Sequence, residues 1–134
     1  DIRAAGLERH FPRLGYVEPD LMPALYRRSS GLLYPSRCEG FGIPVLEALA
    51  CRVPAVVAAA TSAAEVGGRF AIAIDPDDAE ALAGVMARLL REGPPPLDEA
   101  ALAGWMAAFT WDRTAEIVAD AVRSLQHHRP RNAA

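Results

Sequence analysis

Residues 32–59 read LLYPSRCEGFGIPVLEALACRVPAVVAA. Leu32-Leu33-Tyr34 is a short apolar run bounded by Pro35, as at the end of a buried strand. Pro54–Ala59 is short, small and β-branched without interruption, the pattern of a strand covered on both faces. Between them lies a loop, Ser36–Gly42, and then a helix from Ile43 or Pro44 to about Cys51. Short buried strands alternating with helices imply a parallel α/β sheet.

Working outward, the N-terminal side predicts a short helix over Ile2–Arg9 and an extended stretch near Arg13–Val17. Glu18-Pro19-Asp20 reads as a turn, with Asp20 capping a helix that runs to about Arg28. Leu21, Ala24 and Leu25 share one face of that helix by their spacing. On the other side, Thr61–Gly68 reads as a loop with one turn of structure, and Phe70–Ile74 as another strand. Asp77 or Asp78 caps an amphipathic helix over Ala79–Arg91, with Leu82, Val85, Met86, Leu89 and Leu90 on its apolar face. EGPPP at 92–96 is a hard break. Two helices follow, about Asp98–Phe109 and Asp112–Leu125, the second capped by Thr110 or Asp112, and the tail 127–134 is polar and expected to fray.

With 134 residues, 51% hydrophobic and 23% charged, the chain has the balance of a globular protein. Its net charge of −3 excludes a dominant nucleic-acid footprint, and no apolar run approaches the roughly 20 residues of a membrane span. All 14 basic residues are arginine, which removes lysine Schiff-base and P-loop lysine chemistry. Cys38, Cys51 and the three histidines have no metal-ligand spacing, so no metal site is expected. Only about three strands are visible and the chain opens on Asp1 without a methionine. The expectation is therefore one partial domain over residues 1–134, incomplete at its N-terminus and associating through exposed strand edges when isolated.

In open α/β sheets, ligands bind beyond the carboxyl ends of the strands, where loops lead into helices. Ser36–Pro44 is such a junction. Gly40 and Gly42 let the backbone turn tightly near a ligand, and the helix N-terminus offers amides suited to a diphosphate. Glu39 and Glu47, eight residues apart, bring carboxylates that accept from vicinal hydroxyls. The local logic is sugar–diphosphate–sugar. Singly, each residue has a plainer reading: Glu47 as complement to the helix dipole, Glu39 as a solvated charge, the glycines as turn formers. Arg37 is open between a phosphate contact and a surface ion pair.

PSRCEGFGIPVLEALACRVPAVVAAATSAAEV, residues 35–66, resembles the C-terminal-domain signature of retaining GT-B glycosyltransferases of the family 4 group. Its hallmark is two glutamates separated by seven residues around EGFG, and Glu39 and Glu47 occupy both positions. LGYVEPDLMPALYRRSSGLLYPS, AIAIDPDDAEALAGVMARLL and FTWDRTAEIV resemble the flanking segments, so the resemblance covers roughly residues 13–125.

The resemblance implies a Rossmann-like fold forming the C-terminal half of a GT-B architecture, and transfer of a sugar from a nucleoside-diphosphate sugar to an acceptor hydroxyl with retention. It implies that Glu39 contacts donor-sugar hydroxyls nearest the chemistry, and that Gly40, Phe41, Gly42 and Ile43 present backbone amides to sugar and diphosphate. Glu47 would hold the ribose hydroxyls, Tyr16 and Val17 would lie near the base, and Thr61 near the phosphates. No cofactor beyond the donor substrate is implied. The acceptor would be bound mainly by an N-terminal domain absent from this chain. The expected location is cytoplasmic, with a peripheral seat at the inner face of the membrane left open through that half.

Three departures bear on the reading. Arg52 stands where a glycine commonly ends the helix, Ala64 replaces a frequent proline, and the upstream glycine-bearing strand and basic diphosphate clamp are not in this chain. For the isolated chain a non-catalytic nucleotide-sugar-binding fragment is the favoured rival, since catalysis in this fold needs both halves to close. A GT-B epimerase or phosphorylase is a second alternative.

Overall fold

The computed structural model describes residues 2–127. They fall in two compact units, Asp1–Pro94 and Pro95–Ala134. The first unit contains a three-stranded parallel sheet in the order β1-β2-β3: β1 is Leu32–Tyr34, β2 Ala55–Ala58 and β3 Ala71–Ile74. The register pairs Leu33 with Val56 and Val56 with Ile72. The expected α/β class with flanking helices is what the chain adopts.

Helix α1 spans Met22–Arg27, α2 Ile43–Ala50, α3 Ser62–Gly67 and α4 Ala79–Glu92. Every residue of β2 is buried, so both its faces are covered, as its unbroken apolar run requires. On the face carrying Val56, Ile72 and Ile74, α4 contributes Leu82, Val85 and Leu89. Val45, Ala48 and Leu49 of α2 and Ala63 and Val66 of α3 are also buried, where α2 and α3 pack on each other and on the strands. Truncating a side chain as enclosed as Leu89 costs about 2–5 kcal/mol in such cores.

The helix α2 ends as its sequence foreshadowed. Arg52 adopts a φ of 63°, with its N–H on the Leu49 carbonyl at 3.0 Å and the Val53 N–H on that of Ala48 at 2.9 Å. This is the paired bonding of a Schellman cap, here built on arginine instead of glycine. The guanidinium compensates in part, its Nη1 donating to the Ala50 carbonyl at 2.7 Å.

Several expectations are corrected. No helix forms over Ile2–Arg9: Gly6 takes a φ of 65° and closes isolated turns, leaving only a 3-10 turn at Glu8–His10. The extended stretch expected near Arg13–Val17 is interrupted at Gly15, whose φ is 68°, and carries no strand. Asp20 does not cap α1; it sits inside a 3-10 turn, Pro19–Leu21, that precedes the helix. The face of Leu21, Ala24 and Leu25 is exposed, and Tyr26 is the residue α1 buries. Thr61–Gly68 holds a six-residue helix, α3, where a loop with one turn of structure was expected. On α4, Leu90 is 71% exposed, because it lies beside the Leu82–Val85–Leu89 stripe and not on it. Asp78, not Asp77, caps α4 through a 2.8 Å bond from the Ala81 amide.

In the second unit, α5 spans Glu99–Met106, capped by Asp98, and α6 spans Trp111–His127. Thr110 caps α6, its hydroxyl accepting from the Arg113 amide at 3.1 Å, which settles the choice against Asp112. Trp105 meets Phe109 edge-on at 5.7 Å, whereas Trp111 is 89% exposed and not at a packing position. The frayed tail expected of residues 127–134 falls, from 128 onward, outside the described residues. Among the described residues, no helix is long and apolar enough to cross a membrane.

Candidate functional site

The loop 36–42 leaves the carboxyl end of β1 and enters α2, and its neighbours hold it in place. Ser62, the first residue of α3, donates its hydroxyl to the Glu39 carbonyl at 2.9 Å. Arg37 pairs with Asp77 from the segment after β3. Both partners of that pair are exposed, so it orders the loop more than it stabilises the fold. Arg37 is thus the surface ion pair, one of its two open readings.

Gly42 is the hinge of the junction. It caps α2 with φ 109° and ψ 39°, a conformation that side chains strain to reach. It is buried, and a Cβ built on it would stand 3.0 Å from the Cα of Ala63 on α3. Gly40 is different: it is exposed, and a Cβ there would meet nothing within 4 Å. Beyond Gly42, α2 begins with Ile43 and Pro44, and the amides of Gly40, Gly42 and Ile43 take no hydrogen-bond partner among the described residues. Those of Gly42 and Ile43 are orphan donors of a helix start and that of Gly40 lies in the loop before it, at the end of the sheet where ligands of such folds lie.

The two glutamates flank those donors and each meets a tyrosine. Glu39 is half-buried in the loop. The phenol of Tyr34, at the end of β1, is raised above its ordinary value by burial first, then by hydrogen bonding with Glu39 and by that residue's charge. Glu47 is exposed in the second turn of α2, with no acidic residue in the first, so it is not the dipole-complementing glutamate of the plainer reading. Its Oε2 accepts the hydroxyl of Tyr26 at 3.0 Å. Tyr26 is only 8% exposed, and burial, the Glu47 hydrogen bond and the Glu47 charge together push its phenol up to about 12.

Of the residues singled out in the sequence, Glu39, Gly40, Phe41, Gly42, Ile43 and Glu47 thus form one loop–helix junction. Phe41 and Ile43 are exposed there at 44% and 60%. Thr61 stands next to the junction through Ser62, but its side chain caps α3, accepting from Ala64 and donating to the Ala58 carbonyl at 2.7 Å. Tyr16, 79% exposed, and half-buried Val17 make no hydrogen bond to the loop among the described residues. An open cleft lined by Ile2, Arg3, Glu8, Phe11, Pro12 and Arg13 shares no residue with the junction.

Tyr26, Tyr34 and Ser62 escaped the sequence reading. Tyr34 had a signal, since it ends the strand that feeds the loop, and Ser62 lies in the segment that leaves β2. Tyr26 had none, because its contact with Glu47 spans 21 positions and depends on how α1 meets α2.

Comparison with known proteins agrees with this geometry. The family described as glycosyl transferases group 1 matches residues 1–101. Over 79 residues the chain is 40% identical to an O-antigen chain mannosyltransferase B of Escherichia coli, a stretch covering 59% of this chain and 21% of that protein. Over 127 residues it is 33% identical to a D-inositol 3-phosphate glycosyltransferase of Mycolicibacterium vanbaalenii, covering 90% of this chain and 28% of the relative. A D-inositol 3-phosphate glycosyltransferase of Acidothermus cellulolyticus is 34% identical over 103 residues, 75% of this chain and 23% of its own length. The chain therefore spans less than a third of these relatives. No solved structure matches it significantly. A parallel sheet that ends in a pinned EGFG loop, together with a family match over residues 1–101, leads to one conclusion: the chain belongs to the group 1 glycosyl transferases, of GT-B architecture.

Proposed function

We propose that the protein transfers a sugar from a nucleoside-diphosphate donor to an acceptor hydroxyl with retention of configuration, and that this chain supplies most of the donor site. The observation that carries the reading is the start of α2: unpaired amides at Gly40, Gly42 and Ile43 with a carboxylate on either side, Glu39 before and Glu47 after. A diphosphate suits the amides and the helix N-terminus, and hydroxyl groups suit the carboxylates. The names of the relatives, a mannosyltransferase and a D-inositol 3-phosphate glycosyltransferase, support sugar transfer as the common class.

In this reading Glu39 orients the donor sugar and lies nearest the chemistry. The amides of Gly40, Phe41, Gly42 and Ile43 bind sugar and diphosphate and stabilise the leaving diphosphate electrostatically. Glu47 holds the ribose. Thr61 acts at the phosphates through its place at the start of α3, its hydroxyl being used for capping. Tyr16 and Val17 border the base. The donor is the only small molecule required, and a further domain binds the acceptor.

The test is transfer by the full-length protein carrying Glu39→Ala or Glu47→Ala. Glu39→Ala should lower kcat by on the order of 100-fold, the cost of a misplaced reacting group. Glu47→Ala should act mainly on the donor KM. Transfer by Glu39→Ala at the parent rate would refute the assignment.

A further inference from the structure

Glu47 is exposed on α2, yet one of its oxygens is held by a hydroxyl from another helix. Tyr26 on α1 is 8% exposed and donates to Glu47 Oε2 at 3.0 Å. An exposed glutamate ordinarily samples many rotamers and loses that freedom when a ligand fixes it. Here one oxygen is anchored before any ligand arrives. The anchor costs little binding capacity: an ionised carboxylate has about four acceptor sites, the phenol takes one, and the remainder suffice for two vicinal hydroxyls.

We propose that Tyr26 is a positioning residue for Glu47, its buried hydroxyl presetting the carboxylate to receive the ribose hydroxyls of the donor. The inference rests on the donor-site reading above and extends it to a residue outside the EGFG loop. Tyr26 touches no ligand itself; it acts through Glu47. With its phenol pushed up to about 12, it remains a donor throughout the physiological range. Among the described residues the hydrogen bond that the Tyr26 hydroxyl makes is the one to Glu47.

The test compares ribose with hydroxyl-free sugar in the full-length protein. UDP, GDP and ADP are titrated calorimetrically, and the tightest is compared with its 2′,3′-dideoxy form. Hydrogen bonds to a charged group should make the parent prefer ribose by about 10-fold or more. Tyr26→Phe should reduce that preference at least about 3-fold while leaving the dideoxy affinity within about 2-fold. In a Glu47→Ala background it should change nothing further.

A merely structural tyrosine would lower the melting temperature and weaken both nucleotides equally, which would overturn the proposal. So would an unchanged ribose preference in Tyr26→Phe alongside its collapse in Glu47→Ala; the donor-site reading would then stand without it. If Glu47→Ala itself kept the full preference, or none of the three nucleotides bound, the donor-site reading would fall and this inference with it.

Discussion

Gly42 and Gly40 stand two residues apart in one loop, and the structure assigns them opposite sensitivities to the same change. Alanine at 42 must hold a φ of 109°. Left-handed backbone costs an L-residue about 1–2 kcal/mol. The new methyl would also lie 3.0 Å from the Ala63 Cα and 3.3 Å from its Cβ, atoms that cannot rotate away. Overpacking of this kind adds about 1–3 kcal/mol, and the stiffer unfolded chain returns about 0.4–1 kcal/mol. The net loss is about 2–4 kcal/mol, a fall on the order of 10 °C in melting temperature for a domain of this size. Alanine at 40 has no positive φ to hold and nothing within 4 Å, so its effect should stay within about 0.5 kcal/mol. Thermal unfolding by circular dichroism without ligand measures both. A nucleotide titration then asks whether Gly40→Ala, though stable, obstructs the approach of a diphosphate to the loop amides. Equal melting temperatures for the two variants would refute the claim that Gly42 is the strained, close-packed hinge.

The cap of α2 offers a second test: Arg52→Gly should be more stable than Arg52→Ala by about 0.5–1 kcal/mol, since only glycine relieves the left-handed backbone. Arg52→Ala should itself fall about 0.3–0.5 kcal/mol below the parent through loss of the guanidinium bond to the Ala50 carbonyl. Urea midpoints with unchanged slopes decide it, and an alanine variant as stable as the glycine one would be the contrary result. Alkaline stability is a third. The Tyr26 phenol is raised in the fold from 10.0 to about 12, so its contribution is fully present below pH 10 and is lost as pH rises through about 12. The loss is up to about 3 kcal/mol, and Tyr26→Phe should flatten that limb of the stability curve. A limb unchanged by the substitution would disprove the coupling.

The sheet was legible because its information is local. Leu32–Tyr34, Ala55–Ala58 and Ala71–Ile74 are short apolar runs flanked by breakers, and all three became strands within a residue or so of expectation. Local rules failed where two of them competed. Asp20 reads as a cap, but Pro19 opens a 3-10 turn that absorbs it. Ile2–Arg9 reads as helical, but Gly6 takes the left-handed conformation instead. Small residues concealed α3: SAAEVG has neither the length nor the apolar stripe that marks a helix, and it forms where Thr61 caps it and the sheet buries Ala63 and Val66.

The candidate site divides in the same way. Glycines before a proline, with glutamates on either side, state the loop–helix junction in consecutive residues, so the amide cradle and its two carboxylates could be read in order. What restrains them could not. Ser62 on the Glu39 carbonyl, Asp77 on Arg37 and Tyr26 on Glu47 join positions 23, 40 and 21 residues apart. Composition and spacing determined that the chain would build a parallel α/β sheet with a glycine-bearing loop at its carboxyl edge, since backbone conformation and burial follow neighbours along the chain. Only the tertiary structure decided which side chains hold that loop and its glutamates in place, because hydrogen bonds between separate elements depend on how the elements pack.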